Sequence, residues 1–273
     1  MYSLEQLKKH AKNMRKNIIE MVATAQSGHP GGSLSAVEIL TWLYFNEMDV
    51  NKDNVKGVDR DRFVLSKGHA SPLLYAVLCE KGFIDQSQLK TFRAINSKLQ
   101  GHPNMNYVDG VDMSTGSLGQ GLSTAVGMAI ANKLDNSDHR VYSLIGDGES
   151  QEGQIWEALM AGANFKLDNL CAILDFNGLQ IDGDITKVMN PTPFEDKYKA
   201  FGWHTIVIDG HDYQQIEDAF KEAKAVKGKP TLIIAHTIKG KGVSYMENNA
   251  AWHGSAPNEE QTKQALAEIE GGQ

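Results

Sequence analysis

At 273 residues the chain is long enough to bury one large α/β core or two small ones. Its composition is that of a globular protein, 41% hydrophobic and 22% charged, and a formal net charge of −7 excludes the basic footprint of a nucleic-acid or anionic-membrane binder. The two cysteines, Cys79 and Cys171, stand far apart in apolar runs and read as small buried side chains of a reducing compartment, not as a disulfide or a metal pair.

Met1 to Glu20 has the pattern of an amphipathic, Lys-rich helix and not of a signal sequence. No later apolar run approaches about 18 residues, so no membrane span is expected, and a cytoplasmic location is the default. A turn, Ser27-Gly28-His29-Pro30-Gly31-Gly32-Ser33, leads into a second helix that Ser33 can cap, with Val37, Ile39, Leu40, Leu43 and Tyr44 near helical spacing. Asp49 to Asp61 reads as a polar loop. Arg62 to Ser66 is a short buried strand running into Lys67-Gly68-His69-Ala70, and a helix follows from Pro72 to Lys81. The stretch to Met113 is irregular and rich in Asn, Gly and His.

Gly121 to Leu134 is a small-residue helix, and Arg140 to Ile145 an apolar strand that ends at Gly146-Asp147-Gly148. A helix over Gln151 to Phe165 and a strand over Leu170 to Asp175 come next. Strands at His204 to Ile208 and Thr231 to Ala235 flank a helix from Tyr213 to Val226. Thr237 to Pro257 reads as loop, and Gln261 to Ile269 as a final helix. Apolar strands separated by helices predict a parallel sheet covered on both faces. Residues 1–273 are therefore expected to form one α/β domain, a doubly wound parallel sheet with ligands at the carboxyl ends of its strands.

The strongest chemical signal is Gly146-Asp147-Gly148, separated by 28 residues from Asn177. A strand that ends in glycine lets a ligand approach the backbone, and the N–H groups of a following helix start attract an anion. Asp147 offers a carboxylate there, and Asn177, after the next strand, offers a second hard oxygen. Together with a backbone carbonyl and two diphosphate oxygens, these make a near-octahedral oxygen site suited to Mg2+.

This spacing resembles the thiamine diphosphate motif, and the run Gly146-Asp147-Gly148-Glu149-Ser150-Gln151-Glu152-Gly153 resembles its transketolase version. Ser27-Gly28-His29-Pro30-Gly31, Ser66-Lys67-Gly68-His69-Ala70, Gly101-His102-Pro103, Gly116-Ser117-Leu118-Gly119-Gln120-Gly121 and Ile181-Asp182-Gly183 agree with that family, in order, over nearly the whole chain. The resemblance implies the diphosphate-domain fold, with thiamine diphosphate and Mg2+ (or Ca2+ in its place) as cofactors. Asp147, Asn177 and the carbonyl of Leu179 would hold the metal. His69, Gly148, Glu149 and His253 would lie at the diphosphate, and Gly116 and Ser117 at the aminopyrimidine, with Leu118 and Ile181 against the cofactor rings. His29 and His102 would face substrate hydroxyls, joined by His253 for proton transfer; imidazoles titrating near neutrality suit that work. Glu149 is expected to serve the fold from a helix N-terminus and Glu152 to lie at a subunit contact. Lys67 stands where the family usually has Asn, and Ser117 where it has Pro; Lys67 is expected either near the diphosphate or on the surface.

Complete transketolases are more than twice this length, and the domain that activates the cofactor's pyrimidine has no counterpart here. The resemblance thus implies an N-terminal subunit that works with a C-terminal transketolase subunit carrying the pyrimidine-binding domain. The expected assembly is a two-plus-two heterotetramer acting on sugar phosphates of the pentose phosphate type, with neither nucleic acid nor membrane as partner. A truncated form of a longer chain would read the same way. The alternatives are the diphosphate-binding subunit of a 2-oxo acid dehydrogenase or deoxyxylulose-phosphate synthase, and a non-catalytic paralogue.

Overall fold

The computed structural model describes residues 1–272. Its order is α1 (Leu4–Ala25), α2 (Pro30–Leu34), α3 (Val37–Trp42), β1 (Arg62–Leu65), α4 (Ser71–Glu80), α5 (Gln86–Leu89), α6 (Gln120–Leu134), β2 (Val141–Gly146), α7 (Gly153–Asn164) and β3 (Leu170–Phe176). Then come a small antiparallel pair, β4 (Leu179–Gln180) and β5 (Gly183–Asp184), followed by α8 (Ile185–Val188), α9 (Phe194–Ala200), β6 (His204–Asp209), α10 (Tyr213–Ala225), β7 (Thr231–His236) and α11 (Glu259–Gly271). Every neighbour in the main sheet, β1-β2-β3-β7-β6, pairs in parallel, so all five strands deliver their carboxyl ends to one edge.

Side-chain alternation divides the core between the two faces of this sheet. Phe63, Leu65, Tyr142, Leu144, Cys171, Ile173, Ile233 and Ala235 join the cluster under α1, α3, α4 and α10. Val64, Val141, Ile145, Leu170, Ala172, Leu174, Leu232 and Ile234 join the cluster under α6, α7 and α9. The sheet is thus apolar on both sides, which is why its strands read as continuous hydrophobic runs. Cys171 is buried within it, Cys79 is half-buried, and both are free thiols. No helix among the described residues is long and apolar enough to cross a membrane.

Helix ends depart from the sequence expectations for local reasons. α1 begins with a Ser3–Gln6 capping box and runs beyond Glu20, because buried Met21 and Val22 continue its inner face. Ser33 caps nothing: Pro30 opens the short α2 directly after His29, and the Ser33 hydroxyl donates to the His29 carbonyl at 2.7 Å. The helix expected behind Ser33 starts instead at Val37, with no side-chain cap. α11 runs longer than Gln261 to Ile269 because Asn258 and Gln261 form a capping box of their own in front of it. The stretch between β3 and β6, for which no element is expected, holds the β4–β5 pair and the short α8 and α9.

Candidate active site

The site is built on the ends of β2, β3 and β7. Gly146 of β2 sits beside Asp175 of β3, and Asp175 beside Ala235 of β7, so the loops after these strands emerge side by side. Asp147 is buried directly after β2. Its two carboxylate oxygens accept from the Gly148 N–H at 2.7 Å and the Gly178 N–H at 2.5 Å, tying the β2 loop to the β3 loop.

Asn177 is oriented by chemistry that its distances alone would not settle. Its Nδ2 lies 3.2 Å from Asp175 Oδ2. Burial by itself would raise the Asp175 carboxyl, but Lys67 and hydroxyl donors from Ser35 and Thr237 outweigh it and hold the group below its ordinary value. An ionised carboxylate only accepts, so the Asn177 nitrogen must face it and the carbonyl oxygen must face the other way. That oxygen accepts the Leu179 N–H at 3.2 Å. Asp147, Asn177 and Leu179 thereby come to one place, with oxygen donors of the hard type that Mg2+ or Ca2+ takes.

A cavity of about 220 Å³ opens at this place, lined among others by His69, Leu118, Asp147, Gly148, Glu149, Asn177, Leu179, Ile181 and His253. His29, His102, Gly116 and Ser117 do not line it. His29 stands next door, its ring 5.3 Å from that of His69, 5.5 Å from His253 and 6.5 Å from the more exposed His102. Gly116 has φ +146°, and a Cβ there would sit 3.0 Å from the His102 ring, so only glycine allows this approach. Ser117 is exposed. A larger cleft, about 510 Å³ between α1 and α10, has no comparable convergence of predicted residues.

Two lysines define the site's charge. Lys67 is not on the surface: it is 2% exposed, donates to the Gly32 carbonyl at 2.8 Å, and forms an ion pair with Asp175. Lys239 is equally buried, and no sequence expectation singled it out. Its ammonium donates to the Leu179 carbonyl at 3.2 Å and lies 3.0 Å from His253 Nδ1, with no ion-pair partner among the described residues. The overlooked signal was the run Ile238-Lys239-Gly240-Lys241-Gly242 directly after an apolar strand. Gly240 and Gly242, at φ +80° and +90°, fold this segment back across the strand ends.

Burial and these cations set the protonation states. Burial, then Arg93, His102 and Lys239, lower His29 to about 4; burial, then Lys239, His29 and Lys67, lower His253 to about 3. Burial and Lys67 take His69 well down, and burial with Arg93 lowers His102. All four imidazoles are therefore neutral at physiological pH and able to accept a proton. Burial, then the charge of Asp175, raises Asp147 to about 6. Burial followed by Lys67 lowers the Lys239 ammonium. A buried ammonium without a carboxylate and a reluctant buried carboxylate beside it suit an incoming anion and an incoming cation respectively.

Glu149 also lines the cavity, but its carboxylate is engaged within the chain. It accepts from the Ser66 hydroxyl at 2.5 Å and from the Gly119 and Gly146 N–H groups at 2.9 Å each, bracing three loops from the middle of the site. Its position is the first turn of a 3-10 segment, Glu149–Gln151, and not the start of α7. Glu152 is exposed at the rim.

Residues 6–270 match the family model for the transketolase thiamine diphosphate binding domain. The chain is 46% identical over 266 residues to an apulose-4-phosphate transketolase subunit of Phocaeicola vulgatus, covering 97% of this chain and 94% of that protein. It is 47% identical over 265 residues to the 6-deoxy-6-sulfo-D-fructose transketolase subunit SqwG of a Clostridium species, with 97% and 96% covered. Human transketolase is 42% identical over 267 residues, but there the match spans 97% of this chain and only 42% of the relative. The crystal structure of Campylobacter jejuni transketolase superposes with a TM-score of 0.93 at 38% identity, over 98% of this chain and 43% of that one. The chain thus spans less than half the length of the single-chain transketolases and nearly all of the relatives that are themselves subunits. On fold, site geometry and similarity, it belongs to the transketolase family and corresponds to the thiamine diphosphate-binding domain.

Proposed function

We propose that this chain is the diphosphate-binding subunit of a two-chain transketolase, which moves a two-carbon ketol unit from a ketose phosphate to an aldose phosphate. The observation that carries the reading is Lys239, an ammonium without a carboxylate partner held against Leu179, which bounds the Asp147–Asn177 oxygen site. Lys239 together with the Asp147, Asn177 and Leu179 oxygens would hold a diphosphate and its divalent cation, the ammonium answering the anion and the oxygens the metal.

Asp147, Asn177 Oδ1 and the Leu179 carbonyl would hold Mg2+, with Ca2+ able to replace it. Lys239, Lys67, His69 and the Gly148 N–H would hold the diphosphate. Bound thiamine diphosphate supplies the nucleophilic carbon that the protein lacks. Gly116 and Ser117 would meet the aminopyrimidine, and Leu118 and Ile181 the rings. Ile181 is 64% exposed, which leaves that side of the site open to a covering partner domain. Neutral His29, His102 and His253 would take the proton from the substrate's C3 hydroxyl and return one to the product.

The relatives named as subunits support a partner chain; the partner proposed is a C-terminal transketolase subunit carrying the pyrimidine-binding domain, in a two-plus-two assembly. Their names differ in the sugar acted on, so the donor is left open as a phosphorylated or similarly anionic ketose. The test is co-expression with that partner, light scattering of the purified assembly, and two-carbon transfer from xylulose 5-phosphate. The chain alone is expected to be inactive and the assembly active. Robust turnover by the chain alone would overturn the two-chain reading.

His102→Ala is expected to leave cofactor affinity unchanged and to reduce turnover of the assembly by roughly 10²-fold, as for loss of a positioned proton-transfer group. His102 is exposed beside His29 and lies outside the diphosphate cavity. Turnover at the wild-type rate would remove it from the substrate site.

A further inference from the structure

Lys239 sits on a loop, and a buried lysine at the end of a loop keeps its place only if the loop backbone is held. Two of its neighbours are held by one polar cluster on the far side of the loop from the cavity. The Ile238 N–H donates to His211 Nε2 at 2.9 Å, and the Lys241 carbonyl accepts from Arg15 Nε at 3.2 Å. His211 and Arg15 converge on Glu38. His211 Nδ1 lies 3.0 Å from one Glu38 oxygen and Arg15 Nη2 2.6 Å from the other. Since Nε2 accepts from the backbone, Nδ1 carries the ring's proton and donates it to Glu38. The three residues come from α1, α3 and the loop after β6, and none of them lines the cavity around Asp147.

We infer that His211, seated on Glu38 and Arg15, is a positioning residue that holds the Ile238–Lys241 backbone so that the Lys239 ammonium stays in the cavity. The inference rests on the diphosphate reading only for its consequence in binding; the positioning itself is a property of the chain. The fold supplies the reason for this arrangement. β6 is the neighbour of β7 in a parallel sheet, so its following loop emerges next to the one that carries Lys239. His211 ends that loop where Asp212 caps α10, and it reaches the β7 loop without entering the site. Lys67, which follows β1, is held by Asp175 and Gly32 and not by this cluster, and its props meet the Lys239 loop only at Thr237, whose hydroxyl donates to Asp175, and at Gly240, whose N–H donates to the Gly31 carbonyl at 3.0 Å. Lys67 is therefore the comparison lysine, since it is as buried as Lys239 and bonds to no member of the His211 cluster.

The experiment measures acetylation rates of individual lysines in the whole chain with acetic anhydride at mildly alkaline pH, read by peptide mass spectrometry. In His211→Ala, Lys239 should label roughly tenfold faster or more as the loop opens locally, with Lys67 as protected as in wild type. His211→Gln can accept the Ile238 N–H through Oε1 and donate to Glu38 through Nε2, so it should restore protection. If His211→Ala fails to fold, His211→Phe fills the space without accepting the N–H and should show the same selective labelling. Equal acceleration at Lys67 and Lys239 would reduce His211 to general stability, and no acceleration at Lys239 would overturn the inference outright. A second arm uses inorganic pyrophosphate with Mg2+ as the probe. The loss of affinity caused by His211→Ala should vanish in a Lys239→Met background, whereas additive losses would count against positioning through Lys239. Unchanged pyrophosphate affinity in Lys239→Met alone would instead overturn the diphosphate reading, with the positioning still decided by the labelling.

Discussion

Asp147→Ala is expected to lower Mg2+-dependent affinity for thiamine diphosphate by roughly 10²-fold or more. Removing an outer partner of a metal ligand typically costs about 10–100-fold, and Asp147 is proposed as a ligand itself. It is the one charged oxygen donor of the proposed set, and Asn177 and the Leu179 carbonyl cannot neutralise a divalent cation. The fold should survive, because burying this carboxylate opposes folding at neutral pH. Its native value is raised to about 6 from an ordinary 3.8. A raised carboxyl favours the folded state while protonated, and that contribution is lost as pH rises through about 6. Its removal therefore offsets the loss of its bonds from Gly148 and Gly178. The same shift fixes the sign of the binding profile. Metal binding requires the carboxylate, so affinity should fall as pH drops through about 6, with proton release on binding at the lower pH. Titration calorimetry at two pH values measures both effects. Wild-type affinity in the variant would remove the metal site as assigned.

Asp175→Ala tests stability. Asp175 is fully buried, and besides Lys67 it accepts from the Ser35 and Thr237 hydroxyls and from Asn177. Truncating it leaves the Lys67 ammonium buried without a counter-charge, which costs about 3–5 kcal/mol. At roughly 2–4 °C per kcal/mol for a chain of this size, the melting temperature should fall by about 10 °C. Adding Lys67→Met removes the stranded charge and should recover much of that loss, a coupling that a double-mutant cycle reads directly. A fall below about 1 kcal/mol in the single variant would mean that water reaches Lys67 and the pair is not sealed.

Much of the scaffold was legible in the residues because it depends on local pattern. Leu170–Leu174 is apolar at every position and Val141–Ile145 at all but Ser143, as befits strands buried on both faces. A glycine and an acidic residue placed where one such run stops, and an asparagine where the next one stops, bring Asp147 and Asn177 to one edge once the strands pair in parallel. The short helices between β3 and β6 escaped because α8 and α9, of four and seven residues, are too brief to show a helical period.

What the linear order could not reveal is which polar groups find each other once the chain closes. Lys67 reads equally well as a surface lysine until Asp175, 108 residues away, meets it in the interior. Glu149 looks like an ordinary acidic residue near a helix start until Ser66, Gly119 and Gly146 surround it. Lys239 has no local mark except its glycines, and its place in the site depends on β7 lying beside β3 and on His211 arriving from beside β6. Hydrophobic periodicity is a one-dimensional property because it reports only which side of an element faces the core. The pairing of a buried charge is a three-dimensional one, set by contacts whose separation along the chain carries no pattern.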